Sequence, residues 1–216
     1  MALRSGLTPS IAKQLHAYHI TNSPQESFDF VHMRNLAQGI QADSWPGIMK
    51  EAYRALRPGG YVELGECGVE VFSVDNTMPN ESPVQKYSEL ISECMTAMNR
   101  PPATLDTLVH RLEDSGFVDI HSFAFMQPLG PWPKDNNQKM AGQFMIINSE
   151  TGNSRCQTYN PMFEPRPVLT SCTAFHAYGL AAFTRYLGMS AEEAHDLCSR
   201  AAAAIKSRNI HVHNLL

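Results

Sequence analysis

No stretch of this sequence approaches the roughly 18 consecutive apolar residues that a membrane-spanning helix requires, so a helical membrane protein is not expected. Basic charge is also short. The chain has 17 Lys and Arg against 21 Asp and Glu, a formal net charge of −4 and a pI near 6.1, with no run of three basic residues. Nucleic acids are usually met by a basic face and anionic membrane surfaces by a basic amphipathic helix, so neither partner is expected. Cysteine is sparse: Cys67, Cys94, Cys156, Cys172 and Cys198 make an odd count with no C-x-x-C spacing. Met1–Ser10 lacks the apolar core of a secretory leader. Together these read as reduced thiols in a cytoplasmic or nuclear protein. Several catalytic signatures are missing too. There is no G-x-S-x-G elbow and no P-loop, so no nucleophile can be picked out. The close pairs His16/His19 and His211/His213 lack the Cys or acidic companions of a zinc spacing, and no metal is expected.

What is present is ordinary for a globular chain: 216 residues, 43% apolar and 18% charged, enough for one domain with a sizeable core. Pro9 to His19 has helical spacing of Ile11, Leu15 and Tyr18, and Asn22-Ser23-Pro24 signals a turn. Phe28 to His32 reads as a buried strand. Asp43-Ser44 offers an N-cap with Pro46 in the first turn, and Trp45, Ile48, Met49, Ala52 and Leu56 then recur at helical spacing. Pro58 ends that helix near Arg57, Gly59-Gly60 forms a tight turn, and Tyr61 to Leu64 is the next strand. Strand, helix and strand make a βαβ unit with parallel strands.

Helices are predicted over Val84–Met98 and from Leu105 to about Leu112, the latter closed by Ser115-Gly116. A strand is predicted over Phe117–Met126, and a Pro-rich connector over Gln127–Asp135. Ser149–Thr173 is rich in Ser, Thr, Asn and Pro and has no apolar period. Phe175–Leu187 is predicted helical and stopped by Gly188. Ser190-x-x-Glu193 is a capping box that opens a last helix to about Ser207.

Five segments in order resemble one family. Phe28-Asp29-Phe30-Val31-His32-Met33-Arg34 is similar to the FDxVHxR signature of LaeA-like fungal S-adenosylmethionine-dependent methyltransferases. Ala52-Tyr53-Arg54-Ala55-Leu56-Arg57-Pro58-Gly59-Gly60, running on to Leu64, is similar to their AYRxLKPGGxxEL. Leu112 to Phe117 resembles the L…aGF that precedes the sixth strand. Gly130-Pro131-Trp132-Pro133-Lys134-Asp135 matches GPWPKD, and Phe183 to Glu193 resembles FTRxLGWSxEE. The resemblance covers about 28–148 and 174–213.

It implies an α/β fold, a class I methyltransferase (Rossmann-like) sheet with a helical lid, and S-adenosyl-L-methionine as cofactor. It implies methylation of a small-molecule acceptor in secondary metabolism, or a non-catalytic or regulatory relative. The family sets three strands and a glycine-rich loop before the FDxVH strand. Only 27 residues precede Phe28 here, with one glycine, Gly6, and no G-x-G. The expectation is therefore a partial sheet, without the first three strands and the last. Its organisation would be an atypical segment 1–25, a partial core 26–148, an irregular insertion 149–173 and a lid 174–216. The fourth strand would expose an edge where the first should pair, open to a protein partner.

By the same resemblance His32 and Arg34 lie at a strand end facing cofactor, with a surface turn as the plain alternative. Glu66 would face substrate at the end of the fifth strand, or belong with Glu63 to a solvated strand end. Trp132 would line a substrate cleft, or anchor a Pro-rich loop.

Overall fold

The computed structural model describes the backbone of residues 2–3, 14–15, 23–151 and 174–216, and the side chains of 23–147 and 174–216. The chain divides into two compact units, one of Met1–Gly68, Met95–Phe125 and Leu216, the other of Val69–Cys94 and Met126–Leu215.

The first unit is built on the predicted βαβ. Strand β3 (Phe28–Arg34) pairs in parallel with β4 (Leu56–Gly65), and helix α1 (Trp45–Ala55) crosses between them. Asp29, Val31 and Met33 are buried in alternation with half-buried Phe28, Phe30 and His32. One face of the pair thus packs with Val62 against Trp45, Met49, Ala52 and Ala55 of α1. Leu112 and Phe117 complete that core. Leu112 comes from α3 (Leu105–Glu113), whose N-cap Thr104 accepts the Thr107 N–H at 3.2 Å and whose end passes through Gly116 at φ +87°.

The entry to α1 differs from expectation. Asp43 and Ser44 form a 3-10 turn (Ala42–Ser44), and the Ser44 side chain makes no capping bond. Ser44 already has helical dihedrals and donates its N–H to Gln41 O at 3.0 Å, so the chain tightens into the helix through that turn.

The Pro-Gly-Gly segment also differs. Helix α1 ends at Ala55 and pairing begins at Leu56, so Arg57–Gly60 is a bulge inside the strand. Phe28 stands opposite Leu56, whereas Phe30, two residues on, stands opposite Tyr61. Gly59 has φ +81°, and a Cβ on Gly60 would lie 3.0 Å from Arg57 O and 3.1 Å from Asp29 O. Across the bulge Arg57 Nε meets Asp29 Oδ1 at 3.0 Å, pairing a carboxylate only 1% exposed.

The edges expected to be open beside this pair are occupied. The sheet order is β1-β4-β3-β2, with β2 (Gln14–Leu15) parallel to β3 and β1 (Ala2–Leu3) antiparallel to β4. Two residues each are enough to take the β3 and β4 edges there. Gln14–Leu15 is strand where a helix was predicted; the rest of Pro9–His19 lies outside the described residues.

Helix α2 (Pro83–Ala97) opens in the second unit, and its last residues, from Met95, belong to the first. In the second unit β5 (Met126–Pro128) pairs antiparallel with β6 (His213–Leu215), so the sixth-strand segment does have a neighbour. The predicted strand Phe117–Met126 shrinks to its last residue because this partner is only three residues long. Just ahead of that ladder Phe125 still exchanges two backbone bonds with Leu216, and the Phe123 and Phe125 side chains are 63% and 59% exposed. Residues Gln127 and Pro128, expected in a connector, enter the ladder.

Helix α4 (Asn136–Thr151) follows, with Asp135 accepting the Gln138 N–H at 2.9 Å. Most of the irregular segment expected at 149–173 lies outside the described residues. Helices α5 (Ala174–Tyr186) and α6 (Ala191–Ala204) form as predicted, α6 behind the complete Ser190/Glu193 capping box. They meet at Gly179, where a Cβ would stand 2.7 Å from Cys198 Sγ.

His176 on α5 is buried, lies 3.1 Å from Ser199 Oγ and meets His195 at a tilt, ring centres 4.7 Å apart. Burial and then the neighbouring His195 push its pKa below the usual 6.5. The unfolded chain binds that proton near 6.5 and the folded chain resists it, so stability is complete above that pH and falls as the medium is acidified below it. Urea midpoints should therefore drop between about pH 7.5 and about pH 5.5, and His176→Gln should flatten that slope. Arg57→Met should cost roughly 2–3 kcal/mol in the same unfolding measurement, because it leaves Asp29 buried without its guanidinium.

Candidate functional site

In an open parallel sheet the strand carboxyl ends are where loops converge and ligands sit. Here β3 ends at Arg34 and β4 at Gly65, paired with each other. Asn35 turns the chain through φ +53° and donates its N–H to Gly65 O at 2.9 Å, while its Oδ1 accepts the Cys67 N–H at 3.2 Å. Glu66 Oε1 accepts two amides of the opposite loop, Leu36 at 2.8 Å and Ala37 at 3.1 Å. The two loops are thereby laced together through one carboxylate and one carboxamide.

Burial raises the Glu66 pKa; the two amide bonds and the Arg111 charge pull against it. Arg111, from α3, lies over the Trp45 ring at 3.9 Å, and burial lowers its pKa while Glu66 opposes. Cys67, beside these groups, has its thiol pKa raised, chiefly by burial. It is therefore a poor nucleophile.

Two residues back along each strand, His32 stands opposite Glu63, and Nδ1 lies 2.8 Å from Glu63 Oε2. A carboxylate on one ring nitrogen fixes the imidazole's orientation and directs the chemistry of the other, the arrangement of a proton acceptor. Arg34, also on β3, is exposed at the strand end, with its stem 3.8 Å from where a Gly65 Cβ would be.

Thus His32, Arg34 and Glu66 come together at the ends of β3 and β4. Glu63 and Glu66, weighed above as a solvated strand end, are instead both bonded. Trp132 belongs to the second unit. It stacks on His211 at 4.5 Å and meets His213 edge-on at 4.7 Å, with His213 in turn stacked on Phe72. Asp75 bonds His211 Nδ1 and Thr77 Oγ1, and its pKa is held well below the usual carboxylate range, first by His211. Among the described residues no group of three or more His, Cys, Asp or Glu is placed to hold a metal ion, and no helix is long and apolar enough to cross a membrane.

Sequence reading missed Asn35, Arg111 and Trp45 as parts of the strand-end assembly. Asn35 carried a local signal, since Asn tolerates a left-handed turn after a strand. Arg111 carried none, because its partners are 45 and 66 positions into the chain.

The parallel β3–α1–β4 unit makes this an α/β protein. A family model described as a methyltransferase domain matches residues 7–122, more than half of the chain, and the chain belongs to that family. The match begins ahead of Phe28 and takes in Gln14–Leu15. The chain is 34% identical over 124 residues to the probable methyltransferase tdiE of Emericella nidulans, covering 56% of this chain and 37% of that one. It is 30% identical over 125 residues to the methyltransferase pytC of Aspergillus terreus, covering 58% and 38%. It is 28% identical over 176 residues to the secondary metabolism regulator LAE1 of Gibberella fujikuroi, covering 80% and 48%. The chain thus spans less than half the length of these relatives.

For a nucleoside sulfonium donor the described residues offer one wall, Arg34 and the edge of His32. Glu66 and Asn35 are engaged by backbone amides, and no glycine-rich loop or acid for ribose hydroxyls is among the described groups at these strand ends.

Glu66→Ala should speed amide hydrogen exchange at Leu36 and Ala37 and destabilise the first unit by roughly 1–3 kcal/mol, the cost of leaving two half-buried donors unmet. Glu66→Gln, which keeps an accepting oxygen, should lose less.

Proposed function

We propose that this chain is a methyltransferase of fungal secondary metabolism that takes S-adenosyl-L-methionine as donor and a small molecule as acceptor. The observation that carries the reading is the family match over 7–122, which takes in both β3 and β4 with their laced carboxyl ends. The relatives named for methyl transfer support it. Methyl transfer from a sulfonium asks mainly for alignment and exclusion of water, and loops tied across two strand ends are suited to holding reactants still. In this reading His32 and Arg34 face the donor, with Glu63 orienting His32. Glu66 keeps the acceptor side of the strand ends in shape.

A second reading, a regulatory relative that acts by binding, is favoured by the longer alignments. These reach 176 residues with LAE1 of Gibberella fujikuroi and 194 with laeA of Monascus pilosus.

Calorimetric titration of the folded chain with S-adenosylmethionine and S-adenosylhomocysteine separates the two. The enzyme reading expects saturable binding of both, with dissociation constants on the order of micromolar and about tenfold weaker in Arg34→Ala. A folded sample that takes up neither compound would sink it and leave the binding reading.

A further inference from the structure

The second unit holds a pocket of about 200 Å³ lined by Pro131, Trp132, Lys139, Gln143 and Arg208. Its walls are fixed from several directions. Lys139 and Gln143 stand four residues apart on α4 and so share one side of that helix. Helix α4 is seated against the Leu129–Pro133 segment by backbone contact at two glycines. A Cβ on Gly142 would fall 1.9 Å from Gly130 O, and one on Gly130 would fall 2.8 Å from Ile205 O. Trp132 is backed by His211, whose two ring nitrogens face the Asp75 carboxylate and the Arg208 carbonyl. The indole therefore rests on a ring that is itself pinned.

The lining has one sign of charge. Lys139 and Arg208 are both cationic, and among the described residues no carboxylate lines the space and neither side chain is in an ion pair. Asp75, behind His211, is engaged by His211, Thr77 and Ser73. Two cations lining one concavity favour an anion, and a guanidinium favours a planar two-oxygen one. The other walls are the Gln143 carboxamide, an indole and a proline ring, and the last two favour an aromatic ring over a bare inorganic anion. The volume is below that of ordinary drug-sized sites, about 300 Å³ and more, so the ligand is small.

We propose that this pocket binds a small aromatic carboxylate, with the carboxylate at Lys139 and Arg208 and the ring against Trp132. The proposal does not rest on the methyl-transfer reading, since none of the observations behind it involves β3 or β4.

Benzoate, benzamide and inorganic phosphate can be titrated into the 15N-labelled chain while the two indole N–H resonances are followed, with calorimetry for affinity. Benzoate should saturate and move the Trp132 resonance while Trp45 stays put. Benzamide, which lacks the charge, and phosphate, which lacks the ring, should each bind at least about tenfold more weakly. Lys139→Gln and Arg208→Gln should each weaken benzoate about tenfold with unchanged melting. The proposal is overturned if benzamide or phosphate binds within about threefold of benzoate, if either variant keeps full affinity, or if the Trp45 resonance responds instead. Failure of the sulfonium titration would leave all of these readouts intact.

Discussion

The first unit depends on the parallel, in-register contact between Phe28–Arg34 and Leu56–Gly65. A strand's side chains alternate between faces, so register decides which residues form the core and which are left to do chemistry. With Val31 beside Val62 and Met33 beside Leu64, one face becomes a continuous apolar layer for α1. The same register sets His32 against Glu63 and brings Arg34 to Gly65, where the two following loops can reach each other.

Electrostatics then follow position along the pair. At its beginning, Asp29 is buried and balanced by a guanidinium from across the bulge. At its far end, Glu66 gives its oxygen to two amides and feels Arg111, which in turn lies on Trp45 from the first turn of α1. Helix, crossover strand and α3 are thus joined at the carboxyl end by charge and hydrogen bonding, and along their length by apolar contact. The second unit works differently. Its rigidity near Trp132 comes from stacked rings and from glycine contacts between backbones, and its charge there is basic and unbalanced among the lining residues.

Much of this was readable in the sequence where the signal is local. The period of Trp45, Met49 and Ala52, the Ser190/Glu193 cap and the stop at Gly188 each marked an element that formed. Motif resemblance placed His32, Arg34 and Glu66 at one end of the sheet. What failed depended on partners distant in the chain. Phe117–Phe125 has the composition of a strand, but a ladder needs a second chain segment, and β6 supplies only three residues. The Pro-Gly-Gly motif is turn chemistry whether it ends a helix or bulges a strand, and only pairing with Phe28 decides between them. Helix α4 carries Met140, Phe144 and Ile147 at helical spacing, a local signal, yet the structure leaves these side chains exposed by half or more. That Gln14–Leu15 and Ala2–Leu3 would serve as strands cannot be seen in segments of two residues.

The bulge at Arg57–Gly60 has an evolutionary consequence. It acts as a spacer whose length, more than its chemistry, sets the phase of everything after it. Losing one glycine would force the loop to tighten or the downstream strand to slip by one place, turning Val62 and Leu64 outward and driving Glu63 into the apolar layer beneath. Substitution at Arg57 or Pro58 is graded in its effect, whereas a single-codon deletion there is all-or-none. Related chains should therefore vary at Arg57 and Pro58 far more freely than in residue count, with Gly59 and Gly60 held by their backbone geometry.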